Sequence, residues 1–164
     1  MLFLVVLFVA YAVLWPFTRH SMTSRSRGRS ALAIGMIVAG VAHFLTPLPF
    51  VQHLPDLIPM REEIIYASGV VEIALGIALL GVSRWRPFTG LALAAYLIAV
   101  FPGNLYVALA GVAVDGQPGG IYPWLRLPFQ ALFIWLAIWS TDALSVVPAR
   151  LIPGRLRSVV AASA

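Results

Sequence analysis

The stretch that decides the fold runs from Ile64 to Val82, IIYASGVVEIALGIALLGV, and holds one carboxylate, Glu72, among apolar and small residues. A helix needs about 20 such residues to cross the ~30 Å hydrocarbon core of a bilayer. Four further stretches have a similar character. They are Met1–Phe17, Ser30–Thr46, Phe88–Ala110 and Leu127–Val147. The sequence therefore predicts an all-α membrane protein.

The composition excludes several other classes of protein. The 164 residues are 61% hydrophobic and 10% charged, whereas soluble domains are about 45–50% apolar and about 25% charged. Neither a soluble globular enzyme nor a disordered chain has this balance. The absence of cysteine excludes disulfides, thiolate catalysis and cysteine-ligated metals. No histidine pair with metal-ligand spacing is present, so no metal site is predicted.

The segments between the predicted spans are too short to form a second domain. They are Thr18–Arg29, Pro47–Glu63, Ser83–Pro87 and Gly111–Arg126. The prediction is one four-helix transmembrane bundle over about residues 30–147, an added N-terminal helix over 1–17, and a basic tail over 148–164. The arginine-rich run Arg25–Arg29 is expected to be a solvated loop.

The basic residues predict the orientation of the bundle. All eleven are arginine, and nine of them fall on one side of a five-span chain, while Arg61 and Arg126 fall on the other. The positive-inside rule places the nine in the cytoplasm, the N-terminus outside and the C-terminus inside. The expected location is a bacterial inner membrane, and the arginines face lipid headgroups rather than nucleic acid. Met1–Phe17 has no basic n-region, which favours a retained anchor over a cleaved leader.

Five polar side chains fall within the outer half of the predicted spans. They are His43, Glu72, Asn104, Arg126 and Gln130. Glu72 lies eight residues into its span, about 12 Å deep at 1.5 Å per residue. Arg126 and Gln130 are four residues apart and share one helix face. These five residues form the candidate ligand site or polar core.

An ionised carboxylate at the depth of Glu72 needs a partner. Arg126 is expected to reach Glu72 in a bidentate contact, with Asn104 and Gln130 completing the hydrogen bonds and His43 sharing a proton or capping the outer mouth. The alternative is structural: a buried ion pair can fix helix order with little gain in stability, and Asn104 and Gln130 can simply join two helices.

Two backbone features accompany this polar set. Pro102 and Gly103 lie together in the fourth span and predict a bend near the depth of Glu72. The loop from Pro47 to Pro59 contains four prolines yet is apolar, and we expect it to lie over the outer mouth as a lid. Within it, His53 and Asp56 are expected to be surface residues.

Several motifs in sequence order resemble the DoxX-like family of small membrane proteins. They are His43-Phe44 with Pro47, Pro55 and Pro59, then Ser68-Gly69-Val70-Val71-Glu72, Phe101-Pro102-Gly103-Asn104-Leu105-Tyr106 and Arg126-Leu127-Pro128-Phe129-Gln130. The resemblance covers about Ser30 to Val147. It departs from the usual pattern at Gly103, commonly Ala, and at Phe129, often Leu. It implies a four-helix membrane bundle with the same five polar residues.

The resemblance also implies a functional context, because the family name comes from a membrane subunit linked to thiosulfate oxidation with quinone as acceptor. The leading hypothesis is a subunit of a larger membrane complex, with a quinone or another small lipophilic molecule bound in the outer half and a redox protein as partner. The alternatives are a non-catalytic assembly or scaffold protein and a small-solute transporter. An autonomous enzyme is the least favoured class.

Overall fold

The computed structural model describes residues 2–148 and 150, and side chains from residue 5 onward. Six helices and no strand occur in this part of the chain. The helices are α1 (Leu2–Thr18), α2 (Ser24–Leu45), the single-turn α3 (Leu48–Val51), α4 (Arg61–Leu80), α5 (Arg86–Ala110) and α6 (Tyr122–Thr141). Short 3₁₀ turns at Ser83–Trp85 and Ala143–Val146 precede α5 and follow α6. The all-helical prediction is confirmed.

Three segments are long and apolar enough to cross a membrane. They are Ser24–Leu45, Arg61–Leu80 and Ser83–Ala110. A shorter apolar helix, Val5–Thr18, precedes them. Large apolar side chains remain exposed along these helices, for example Val70 at 58% and Ile98 at 59%. Such a surface suits a lipid environment far better than water.

The predicted solvated loop at Arg25–Arg29 is wrong, because α2 begins at Ser24 rather than at Ser30. The hydroxyl of Thr23 caps the helix by accepting a hydrogen bond from the Ser26 amide at 3.2 Å. The side chain of Arg27 is buried, and its Nη1 donates to the carbonyl of Met22 at 2.9 Å and to that of Thr18 at 3.4 Å. Arg27 therefore joins the end of α1 to the start of α2.

The helices pack through small residues where backbones come close together. A Cβ added at Gly40 would lie 2.7 Å from the Gly69 carbonyl, and one added at Gly76 would lie 2.7 Å from Ile37 Cγ1. These contacts hold α2 against α4. Between α5 and α6, a Cβ added at Gly90 would overlap Thr141 Oγ1, so these two helices also approach closely. Close approach at small residues is a common way to pack helices in membranes.

The bundle has two different ends. The turns and loops at residues 46–60 and 111–121 lie at one end, here called the loop end, and Arg25, Arg29 and Arg86 lie near the helix termini at the other end. The apolar core between the ends includes Leu32, Met36, Leu79 and Leu93, which are all at most 1% exposed. Of the predicted tail 148–164, all but Pro148 and Arg150 lies outside the described residues.

Candidate functional site

A cavity of about 570 Å³ opens inside the bundle near the loop end. Residues of α2, α4, α5 and α6 form its walls, and residues of the 47–59 segment cover it. All five sequence-predicted polar residues line this cavity. They are His43, Glu72, Asn104, Arg126 and Gln130. Most of the lining is nevertheless apolar, as in typical small-molecule sites.

The first of two polar clusters surrounds Glu72 and is here called the carboxyl cluster (His43, Ser68, Glu72 and Tyr96). The phenol of Tyr96 donates a hydrogen bond to Glu72 Oε1 at 2.8 Å. The second carboxyl oxygen, Oε2, is buried and has no hydrogen-bond partner among the described residues. One acceptor position in the low-dielectric interior is therefore unfilled, on a residue that lines the cavity.

His43 lies beside this carboxyl but does not satisfy it. Its Nδ1 lies 2.8 Å from the carbonyl of Ala39 and 3.5 Å from Glu72 Oε2. A proton on Nδ1 serves the nearer Ala39 carbonyl, so Glu72 Oε2 receives no hydrogen bond from this ring. The ring also stacks on Phe50 at 3.9 Å between centroids. His43 therefore links the carboxyl cluster to the covering segment.

The second cluster surrounds Arg126 and is here called the guanidinium cluster (His53, Asn104, Gln117, Arg126 and Gln130). Arg126 Nη1 donates to Gln117 Oε1 at 2.7 Å and to His53 Nε2 at 2.8 Å. Its Nη2 donates to Asn104 Oδ1 at 3.0 Å. The guanidinium carbon also lies 5.9 Å from the centre of the Tyr122 ring. All of these partners are neutral.

The expected ion pair between Arg126 and Glu72 is absent from the described residues. The reason is that Arg126 and Glu72 lie at different positions along the bundle axis. Because α6 begins at Tyr122, Arg126 is only in the second turn of that helix, close to the loop end. Tyr96, which holds Glu72, lies eight residues before Asn104 on α5, or about 12 Å along the axis. The two clusters therefore occupy different levels of one cavity.

Asn104 and Gln130 connect α5 to α6, as the structural interpretation of these amides predicts. Asn104 Nδ2 donates to Gln130 Oε1 at 3.4 Å, and Gln130 Nε2 donates to the Leu97 carbonyl at 2.6 Å. The chain of hydrogen bonds thus runs from Arg126 through two amides to the backbone beside Tyr96. These amides keep Arg126 in place through a rigid helix pair.

His53 is not the surface residue expected from the sequence. It lines the cavity, and its Nδ1 lies 2.7 Å from the Pro49 carbonyl. Burial, together with the nearby charge of Arg126, lowers the pKa of His53 from 6.5 to about 4. His53 is therefore neutral at pH 7, with Nε2 as the acceptor for Arg126. Asp56, in contrast, is exposed and pairs with Arg61, as a surface residue should.

Four further polar residues line the same cavity and were not predicted as site residues: Ser68, Tyr96, Tyr106 and Gln117. Tyr96 stands in an apolar run and resembles an ordinary packing residue. The one available signal was the isolation of Glu72, because a carboxyl at this depth requires a donor and Tyr96 is the only phenol in the Phe88–Ala110 span apart from Tyr106.

Comparison with known proteins gives a family for this chain. No curated protein and no solved structure matches it. One family model, described as a domain of unknown function, matches residues 32–141, well over half of the chain. That range includes every member of both polar clusters and the segment that covers the cavity. The chain thus belongs to the family of domain of unknown function DUF8561.

Proposed function

We propose that this protein is a multi-pass subunit of a larger membrane complex and binds a small lipophilic molecule in the cavity near the loop end. In this proposal, α2, α4, α5 and α6 form a DoxX-like four-helix transmembrane bundle, and α1 is an added helix. The loop end faces outward from a bacterial inner membrane, with the N-terminus outside. The arginines at the opposite end support this orientation through the positive-inside rule.

The cavity is the observation that carries the proposal. A volume of about 570 Å³ falls within the range of small-molecule sites, which are mostly apolar with a few placed polar groups. Polar residues inside membrane spans are costly unless they serve function or pairing. Here a carboxyl oxygen has no hydrogen-bond partner among the described residues, with His43 Nδ1 3.5 Å away, and a guanidinium donates its hydrogen bonds to neutral groups. A purely structural network would pair them.

A quinone fits the residues that line the cavity, and it is the ligand we propose first. Quinone carbonyls accept hydrogen bonds, which Arg126 and a proton on Glu72 would donate at two levels between apolar walls. When bound, a quinone supplies electron-accepting chemistry. The role of this chain is to bind and orient the ring and to hold a proton at Glu72. A redox protein in the complex is the proposed partner.

The test is mass spectrometry of small molecules that co-purify with the protein from native membranes in mild detergent. We expect a stoichiometric quinone or related lipophile with the parent protein and its loss with Glu72→Gln. Glu63→Gln is the matched control, because Glu63 is exposed at the start of α4 and does not line the cavity. No bound molecule, combined with the same protein partner for all three proteins, would contradict the ligand site and favour an assembly or scaffold role.

A small-solute transporter is the second candidate, and the covered cavity is the observation that favours it. A transporter needs a site that one barrier closes while another opens. Flux of a co-purifying solute into liposomes that contain only this protein would support transport. Binding without flux supports the subunit role.

A further inference from the structure

The segment that covers the cavity has local backbone structure of its own. It lies between Thr46, which ends α2, and Met60, which precedes α4 with a left-handed φ of 55°. Inside it, the single-turn α3 and the following turns make local backbone hydrogen bonds. Local bonds of this kind persist when a segment moves as a whole. Residues 47–59 are here called the lid.

The lid contacts four helices, α2, α4, α5 and α6, and the α5–α6 loop. His53 accepts from Arg126, and the Gln52 side-chain oxygen accepts from the Asp115 amide at 2.7 Å. Phe50 stacks on His43. The backbone of His53 also lies against α5 at Gly103, where an added Cβ would be 3.1 Å from the His53 carbonyl oxygen. Charged groups take part at two points: Arg126 donates to His53, and Arg61 at the start of α4 pairs with the exposed Asp56 and donates to the Leu54 carbonyl at 3.4 Å.

Two of the groups that contact Arg126 lie outside the helices. His53 is on the lid and Gln117 is on the loop between α5 and α6, while Asn104 of α5 also accepts a hydrogen bond and the Tyr122 ring of α6 lies 5.9 Å from the guanidinium carbon. Each hydrogen-bond partner is a neutral acceptor. A guanidinium binds a carboxylate or a strongly polarised carbonyl better than a neutral ring nitrogen, because charge-assisted hydrogen bonds are stronger.

We infer that the lid admits the ligand from the loop end, and that an acceptor oxygen of the ligand, a carbonyl or carboxylate, replaces His53 Nε2 on Arg126. The inference rests on the proposed function, since it requires that the cavity bind a ligand. It adds the route of entry and the chemical group recognised. The ligand then lies with its acceptor oxygen at the guanidinium cluster and its apolar body toward Phe133 and Leu97, which line the deeper cavity.

The replacement of His53 by a ligand oxygen leaves the number of hydrogen bonds to Arg126 unchanged, which makes it feasible in an apolar setting. When His53 leaves Arg126, its Nε2 gains water at the loop end, and the ligand oxygen takes its position on the guanidinium. No buried donor on Arg126 is left without an acceptor. A ligand whose head offers only donors, such as a primary ammonium, cannot make this replacement and is repelled by the guanidinium charge.

The cysteine-free chain offers a direct test of the lid. An added Cβ at Gly103 lies 3.6 Å from His53 Cβ, within the range of Cβ separations found in disulfides. The double variant His53→Cys with Gly103→Cys should therefore cross-link the closed lid to α5 on oxidation. Each single variant serves as a control for the loss of its own side chain. A pair that fails to cross-link in the membrane would overturn the closed lid.

The readout is uptake of radiolabelled probes with the same alkyl chain: decanoate, 2-decyl-1,4-benzoquinone and decylammonium. We expect the oxidised double variant to take up decanoate and the quinone at least tenfold more slowly than the reduced form does. The reductant is removed before uptake is measured. The parent protein should take up the first two and not the third. Arg126→Gln should weaken uptake at least tenfold, whereas Glu63→Gln should leave it unchanged.

The outcomes separate the two proposals. Equal uptake by oxidised and reduced forms overturns the lid as the entry route while leaving the ligand site intact. Uptake of decylammonium in preference to the other probes overturns the acceptor-oxygen part. Uptake of decanoate alone identifies a carboxylate ligand, and uptake of the quinone alone identifies a carbonyl ligand. If the parent takes up no probe and no molecule co-purifies, the acceptor-oxygen inference and the proposed function both fail.

Discussion

Acidification should open the lid, because closure keeps His53 neutral. In the closed state the pKa of His53 is lowered from 6.5 to about 4, by burial first and by Arg126 second. His43 adds a smaller contribution of the same sign, and the neighbouring charges of Arg61 and Asp56 pair with each other. When the lid opens, His53 returns to water and to its ordinary pKa.

The sign and size of the effect follow from proton linkage. The open state binds more protons than the closed state between pH 6.5 and pH 4, so closure is fully favoured above pH 6.5 and is weakened as the pH falls toward 4. With pKa values of 6.5 and about 4, lowering the pH from 7 to 5 raises the ratio of open to closed lid roughly twentyfold, or about 2 kcal/mol.

The assay is the labelling of a single cysteine inside the cavity by a maleimide, in proteoliposomes. Ser68→Cys places a thiol on the cavity wall in a chain with no other cysteine. Thiol reactivity itself changes with pH, so the rate is divided by the rate for the same variant that also carries His53→Gln. Glutamine does not titrate and offers an oxygen to Arg126. The divided rate should rise roughly twentyfold from pH 7 to pH 5, and a flat ratio would show that protonation of His53 does not open the lid.

Two further predictions concern the bundle itself. Gly40→Ala should lower the free energy of unfolding of the detergent-solubilised protein by about 1–3 kcal/mol, because its Cβ would lie 2.7 Å from the Gly69 carbonyl oxygen. Gly119→Ala is the control and should have little effect, since nothing lies within 4 Å of its added Cβ. Equal effects of the two substitutions would contradict the close contact of α2 with α4. Arg27→Met should cost roughly 1–3 kcal/mol, because the Met22 carbonyl at the α1–α2 connection loses its hydrogen bond from Arg27. Arg25→Met, which removes a half-exposed ion pair with Asp142, should cost roughly 0–1 kcal/mol. A larger loss of stability in Arg25→Met than in Arg27→Met would show that Arg27 does not join α1 to α2.

Much of the architecture was readable from the sequence, since hydropathy and length alone indicate long apolar helices. The residues at which the helices begin were harder to predict from the sequence. The second helix was expected to begin at Ser30 because the arginines before it resemble a solvated loop. In the structure, Thr23 caps the helix and Arg27 turns back onto backbone carbonyls. The contacts of a buried arginine depend on the neighbouring helix, which residue patterns do not specify.

The location of the polar site was also predictable, but its pairing was not. Depth within each span placed His43, Glu72 and Asn104 around one space, and the structure shows them lining one cavity. Whether Arg126 reaches Glu72 depends on the relative heights of α4 and α6, and loops set those heights. The lid conformation likewise decides that His53, rather than a carboxylate, contacts Arg126.

The depth of Glu72 has an electrical consequence in the proposed orientation. A proton that moves from the outer surface to this carboxyl crosses about 12 Å of the ~30 Å hydrocarbon core, or roughly 0.4 of the membrane potential. Moving one elementary charge through the whole potential is worth about 2.3 kcal/mol per 100 mV, so this partial crossing is worth about 0.9 kcal/mol. The ratio of protonated to ionised Glu72 should then change roughly fivefold per 100 mV. An energised membrane, negative inside, would load this carboxyl, and a depolarised one would release it.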